Sequence, residues 1–403
     1  MTKPEQKFFD FIRKHLFITL FIFITVISML LRFQGMNYKS DDFLRYLNSW
    51  WIAISQQGIE GLAHQVGNYN IPYQIIIFIL TRFNLDAVIA YKIISLVFDY
   101  VLAFSAALLV AQFRDEKFFG FSSVVTYSMV LCSLTVIFNS AFWGQCDGIY
   151  TAFILFAIYF INKEKHIPAF IMLGLAFAFK LQMIFIVPLF LYYYATTRKC
   201  SILHFLLIPL TDIVLCLPAI FCGRPFFDIF KIYLGQTDEG KQLQMNFPNI
   251  YAFFSDGTKR APYDLLRDFT IYFAIAVLLG GLVLLLYKKP DLTNRENFLL
   301  TGIWSVFTCN MFLSSMHERY SYLLDVLLIV YVIAVRKHYI VAILCNLISL
   351  RGYGYYIFEN YEAITVGQTS IIYIGVYCYV TYLFVREVVL DKKEPLKLLH
   401  SQK

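Results

Sequence analysis

Residues 87–111 read AVIAYKIISLVFDYVLAFSAALLVA. Only two charges, Lys92 and Asp99, interrupt this apolar run. A bilayer core about 30 Å thick is crossed by a helix of about 17–25 predominantly apolar residues, so the stretch reads as a transmembrane helix. The two charges lie seven residues apart and share one helix face. They are expected to form an intramembrane pair or to meet partners on other helices, because an unpaired charge in lipid is costly. Asp212 and Asp325 read the same way. Working outward, the same test gives further spans at roughly 15–31, 119–140, 147–161, 167–179, 181–196, 202–222, 268–287, 297–314, 320–335, 338–350 and 369–388. The first is no cleavable signal, since it lacks a small-residue cleavage site and Arg32 follows it. Residues 71–83 are apolar but short, and are expected to form an interfacial or re-entrant helix.

Composition agrees. Of 403 residues, 59% are hydrophobic and 15% charged, against about 25% charged in an ordinary soluble domain. A soluble domain, a disordered chain and a disulfide scaffold are excluded. The eight cysteines are scattered without a CxxC and read as small apolar helix residues, so no metal is expected. The formal charge of +7 divides unevenly. Residues 1–14, 112–118, 162–166, 197–201, 288–296, 336–337 and 386–403 hold 20 Lys and Arg against 10 Asp and Glu, a net of +10 that leaves −3 elsewhere. Basic loops stay cytoplasmic, which puts both termini inside and makes nucleic acid an unneeded explanation. The opposite face then carries loops 32–86, 223–267 and 351–368, while 389–403 forms a cytoplasmic tail. With no repeat and no soluble segment, residues 1–403 read as one membrane domain. The chain lacks N-x-S/T sequons and an ER-retrieval ending, which points to a bacterial plasma membrane.

The polar motifs gather on the outer face. Asp41 and Asp42 stand in YKSDDFLRYLNSWW (38–51) with Trp50, and Asn70 in GNYNIPY (67–73). Trp143, Gln145 and Asp147 belong to NSAFWGQCDGIYT (139–151), Lys180 and Gln182 to FAFKLQ (177–182). Tyr233 and Gln236 lie in GRPFFDIFKIYLGQ (223–236), Asn249 in NFPNIY (246–251), and His317, Glu318, Arg319 and Tyr320 in MHERY (316–320). The carboxylates at 41 and 42 can accept a proton. Arg319, Lys180 and His317, with Tyr320 beside them, can bind a phosphate: Arg offers paired donors and Lys a point charge. Trp50 and Trp143 can stack on a sugar face or sit at the membrane interface. Neither a Walker motif nor a GxGxxG, GxSxG or HExxH pattern is present, so a nucleotide-using site is unsupported.

These motifs, collinear over roughly 38–328, resemble the bacterial integral-membrane mannosyltransferase-like family. That family belongs to the GT-C glycosyltransferases and is distantly similar to the second eukaryotic GPI mannosyltransferase. The resemblance implies an all-α polytopic bundle of about 12 (11–13) transmembrane helices. It implies a polyprenyl-phosphate-sugar donor, a cell-envelope glycan or glycolipid acceptor, membrane lipids as surroundings, no cofactor and an extracytoplasmic site. Asp42 stands eight residues before Trp50, the spacing of the family's catalytic Asp, which makes Asp42 the expected base. Asp41 occupies a position where that family usually has a small residue, which leaves the choice of base open. Arg319, Lys180, His317 and Tyr320 would hold the donor phosphate. Gln145, Asp147, Gln182, Asn70, Trp50, Trp143, Tyr233, Gln236, Asn249 and Glu318 would contact substrate or order the loops. Transfer of a hexose-type sugar would proceed by an inverting single displacement. The competing readings are a polyprenyl-linked glycolipid transporter, which expects polar residues through the midplane, and a non-catalytic scaffold.

Overall fold

A computed structural model describes residues 1–237, 242–254, 263–359 and 364–391. In chain order its helices are α1 (Lys3–Lys14), α2 (Leu16–Phe33), α3 (Asn48–Gln57), α4 (Ile71–Leu80), α5 (Ala87–Arg114) and α6 (Phe121–Leu131). There follow α7 (Leu134–Trp143), α8 (Asp147–Ile161), α9 (His166–Phe179), α10 (Leu181–Thr197), α11 (Ile202–Phe221) and α12 (Asp228–Thr237). The last five are α13 (Tyr263–Lys288), α14 (Arg295–Phe312), α15 (Tyr322–Val335), α16 (Tyr339–Phe358) and α17 (Val366–Val389). No β-sheet occurs among the described residues.

Among the described residues six helices (α2, α5, α11, α13, α16 and α17) are long and apolar enough to cross a bilayer. The pair α6–α7, bent by 47° at residues 132–133, makes a seventh if it is one span. On this measure the expected twelve is not reached. Helices α4, α8, α9, α10 and α15 are apolar but shorter. Helix α14 is buried at every residue from Asn297 to Met311, the mark of a helix enclosed on all sides. The described residues are nonetheless all-helical, and their several apolar spans make the chain an integral membrane protein.

Local chemistry sets the boundaries. The Asp86 carboxylate accepts from the Val88 amide at 2.8 Å and opens α5; the Asn294 side chain does the same for α14. Pro72 sits in the first turn of α4, where its missing N–H costs nothing. Lipid offers helices no hydrophobic reward for associating, so close backbone approach matters. At Gly174 of α9 an added Cβ would stand 2.5 Å from the Thr211 Cβ of α11, so only glycine permits this crossing.

Several segments read as loops are helical. Residues 3–14, 48–57 and 228–237 form α1, α3 and α12. Helix α16 runs to Phe358 rather than ending at 350, because Arg351 and Gly352 are not a break: Gly352 lies against Glu318 and Arg351 donates to Asn246 and the Ile364 carbonyl. Helix α13 begins at Tyr263 rather than 268. Parts of the expected loops, 238–241, 255–262 and 360–363, and residues 392–403 of the tail lie outside the described residues.

The intramembrane charges find polar partners, three of them on other elements and Asp325 one turn back at the start of its own helix. Asp99 pairs with Arg32 of α2 at 2.8 Å and accepts from Ser140 at 2.5 Å. Lys92 donates to the carbonyls of Gly35 at 2.6 Å and Tyr38 at 2.5 Å. Asp212 accepts from Tyr233, and Asp325 from Ser321.

Candidate active site

The segment leading to Asp42 is fixed before the site begins. Lys92 holds its carbonyls, the Tyr38 hydroxyl donates to the Ile357 carbonyl at 2.5 Å, and the Ser40 hydroxyl to the Trp143 carbonyl at 3.0 Å. Asp42 then precedes a π-helical turn, Phe43–Leu47, and a second π turn, Phe138–Trp143, ends opposite it. Such turns cost regular hydrogen bonding and recur at functional sites. After Trp143 the chain reverses at Gly144, whose φ of +77° lies in the left-handed region that favours glycine. That turn aims Trp143, Gln145 and Asp147 into one volume.

Two carboxylates and two cations share it. Asp42 Oδ2 accepts from Trp143 Nε1 and Gln145 Nε2, both at 2.8 Å, and Oδ1 accepts from the Tyr356 hydroxyl at 2.6 Å. Asp147 is fully buried; its Oδ1 accepts from Lys180 Nζ, and its Oδ2 from Asn139 Nδ2 at 2.8 Å. Arg319 lies between them. Its Nη1 is 3.9 Å from Asp42 Oδ2 and its Nε 3.8 Å from Asp147 Oδ2. These are ion-pair distances, longer than hydrogen bonds, and Nε has no hydrogen-bond partner among the described residues. The guanidinium stacks 4.8 Å above the Trp143 ring. Burial works against the Arg319 charge, but Asp42 and Asp147 outweigh it and hold the pKa above its ordinary value. Burial and the Arg319 charge together hold His317 down to about 3, so it offers neutral hydrogen bonding rather than charge. Burial pushes Glu318 up to about 7.

A cavity of about 730 Å³ opens onto this group. It is lined by Asp42, Trp50, Lys180, Gln182, Gln236, His317, Arg319 and Tyr320 among the residues expected from sequence. Trp143, Gln145 and Asp147 stand behind its wall as partners of the lining charges. Asp41 does not join them: it is exposed and pairs with Arg45 at 2.9 Å, one helical turn along the surface. Three expected substrate contacts are committed to the protein. Asn70 donates to the Phe177 and Ala178 carbonyls at the end of α9, at 3.2 and 3.1 Å, and to Tyr233 at 3.0 Å. Tyr233 lies against Asp212, and Asn249 donates to the Leu313 carbonyl at 3.0 Å. Asn70 and Tyr233 thus fasten the turn that presents Lys180, and Asn249 ties its loop to the end of α14. Glu318 is buried outside the cavity lining. Tyr356, Tyr69 and Asn139 belong to the site and were missed. Tyr69, whose hydroxyl donates to Gln145 at 3.2 Å, was visible in the quoted GNYNIPY motif.

Among the described residues no three His, Cys, Asp or Glu side chains gather as a metal-holding group. The arrangement can do two things chemically. Asp42 Oδ2 already has two donors and Oδ1 one, so the remaining acceptor position is on Oδ1. The Arg319 guanidinium lines the same cavity. Proton acceptance and anion stabilisation are therefore side by side.

Fold and site together define an integral membrane protein with a recessed acid–cation cavity. Residues 140–233 match the family model described as mannosyltransferase (PIG-M), which supports a membrane glycosyltransferase with a distant mannosyltransferase-like relationship. The matched stretch contains Gln145, Asp147, Lys180 and Gln182. No curated protein matches the chain significantly.

Proposed function

We propose that this chain is a GT-C-type glycosyltransferase of about twelve crossings, in a bacterial plasma membrane with both termini cytoplasmic. It moves a hexose-type sugar from a polyprenyl-phosphate donor to a glycan or glycolipid acceptor on the extracytoplasmic face. The observation that carries this is the single cavity that Asp42 and Arg319 both line, 3.9 Å apart.

Chemistry follows from the charges. Without substrate, Asp42 and Asp147 balance Lys180 and Arg319. The acceptor hydroxyl attacks the anomeric carbon, and Asp42 Oδ1 takes its proton. The new C–O bond forms as the bond to the donor phosphate breaks, with inversion. Protonation removes the negative charge of Asp42, which leaves Arg319 half released. In the same step the departing polyprenyl phosphate gains one negative charge. Arg319 shifts its allegiance from carboxylate to phosphate, an electrostatic stabilisation that grows along the reaction coordinate. Lys180 stays with Asp147 and fixes the floor. Neutral His317 donates a hydrogen bond, and Gln182, Gln236, Trp50 and Tyr320 line the sugar's surroundings.

The test is transfer by the purified, reconstituted protein from a panel of polyprenyl-phosphate sugars, beginning with mannose, to extracted envelope glycan. Product from a lipid-linked donor, and none from a nucleotide sugar, is expected. Movement of the labelled lipid across the vesicle without any new glycosidic bond would replace this function with transport.

A further inference from the structure

Helix α1 (Lys3–Lys14) has no buried residue. It opens with a full capping box, in which the Thr2 hydroxyl and the Glu5 carboxylate satisfy each other's backbone donors. It is therefore a formed helix and not a frayed continuation of the span. At His15 the backbone leaves helical geometry (φ −112°, ψ 25°), and α2 starts at the next residue.

At 100° per residue the sequence of α1 sorts into two faces. Pro4, Phe8, Phe9, Phe11 and Ile12 occupy one broad arc, interrupted only by Glu5. Lys3, Lys7 and Lys14 fall together on the other, flanked by Asp10, Gln6 and Arg13. The three phenylalanines are each more than half exposed. Nothing in the rest of the chain covers that apolar arc among the described residues.

We propose that α1 lies flat on the bilayer surface that α2 enters, its phenylalanine face in the acyl boundary and its lysines toward anionic lipid headgroups. Two observations choose this occupant. First, α2 is a membrane span that begins two residues after Lys14, so the helix starts at the bilayer surface and cannot leave it. Second, the charge complements an acidic leaflet: four basic residues stand against two acidic ones, in the arrangement of interfacial helices, which combine a strong polar face with Phe-rich burial of about 5–10 Å. Basic segments beside a span are drawn to acidic lipid in the same way.

The experiment uses the full chain in vesicles of phosphatidylcholine, with or without phosphatidylglycerol. Trp is placed at Phe8 (F8W) or Lys7 (K7W), and quenching by phospholipid brominated in the acyl chain is measured after subtracting the parent protein's four tryptophans. Strong quenching and blue-shifted emission for F8W, weak quenching for K7W, and loss of the F8W signal when Lys3, Lys7 and Lys14 are all changed to Gln support the proposal. Equal, weak quenching at both positions would place α1 off the membrane, whether in water or beneath a protein partner. Equal, strong quenching would make it an extension of the span. F8W quenching indifferent to phosphatidylglycerol would remove the charge recognition. Any of these three overturns the proposal.

Discussion

The Tyr356 hydroxyl donates to Asp42 Oδ1 at 2.6 Å across 314 residues of chain. The Tyr356 ring is itself stacked on Trp143 at 3.9 Å and 14°, and the Trp143 indole donates to the other oxygen of the same carboxylate. Helix α16 and the C-terminal end of α7 therefore grip Asp42 from two sides. Hydrogen bonds to a charged group contribute about 1.5–3 kcal/mol each. Tyr356→Phe keeps the stack and removes only the donor, and kcat is expected to fall roughly 10- to 100-fold with little change in KM. A change in KM alone would show that Tyr356 meets substrate rather than Asp42.

Asp41 and Asp42 are adjacent in sequence and point to different media. Asp42→Asn is expected to lower transfer roughly 100- to 10,000-fold, the worth of a positioned base, with expression and melting temperature retained. Asp41→Asn removes an exposed pair with Arg45, of the kind that contributes little, and should leave the rate within about twofold. Turnover measured with one donor decides it, and the reverse ranking would move the base to Asp41.

Arg319 is the residue asked to follow the charge. Arg319→Lys keeps a cation but loses the planar donors that match a phosphate. A drop of roughly 10- to 1,000-fold in kcat is expected, larger than any change in melting temperature accounts for. Unchanged kinetics in Arg319→Lys would reduce its part to neutralising Asp42 and Asp147.

The Lys180–Asp147 pair is buried, with side-chain exposures of 9% and 0%. Breaking it from one side strands the other charge, at about 3–5 kcal/mol. Lys180→Met or Asp147→Asn alone should melt well below the parent in detergent. The double variant is expected to recover part of that loss. Additive losses would mean that the two side chains do not depend on each other.

Glu318 is raised from 4.5 to about 7 chiefly by burial. The folded state then binds its proton more tightly than the unfolded one, so its contribution is greatest below pH 4.5 and is lost as pH rises through 7. Glu318→Gln should be near neutral at pH 5 and more stable than the parent above pH 7, by up to about 3 kcal/mol. Melting curves of both proteins at pH 5 and 8 test the sign.

Much of this was legible in the sequence because lipid imposes a simple rule: apolar length. Eleven of the twelve apolar segments each coincide with one helix to within several residues at most ends, the segment 119–140 is the bent pair α6–α7, and the short stretch at 71–83 is the short helix α4. Asp42, Lys180, His317 and Arg319 could be gathered because they sit where apolar runs stop at one end of the bundle. What stayed hidden has physical causes. Asn70, Tyr233 and Asn249 read equally as substrate contacts or as loop anchors, and the structure spends their donors on backbone carbonyls, on one another and, for Tyr233, on Asp212, which no local pattern reveals. Tyr356 was hidden because Arg351 and Gly352 resemble a helix stop. Their partners, Asn246 and Glu318, come from loops far away in sequence. Helices α1 and α12 escaped a search for apolar length because they are amphipathic or polar.

Helices α8 and α9 contain 15 and 14 residues. At 1.5 Å per residue each is about 21–22 Å long, and a hydrocarbon core is about 30 Å deep. Asp147 heads the first and Lys180 follows the second. In the proposed orientation both rods rise from the cytoplasmic surface and are shorter than the hydrocarbon core, which puts the ion pair between their tips below the opposite headgroups. The proposed lipid-linked donor would then meet the pair without leaving the bilayer.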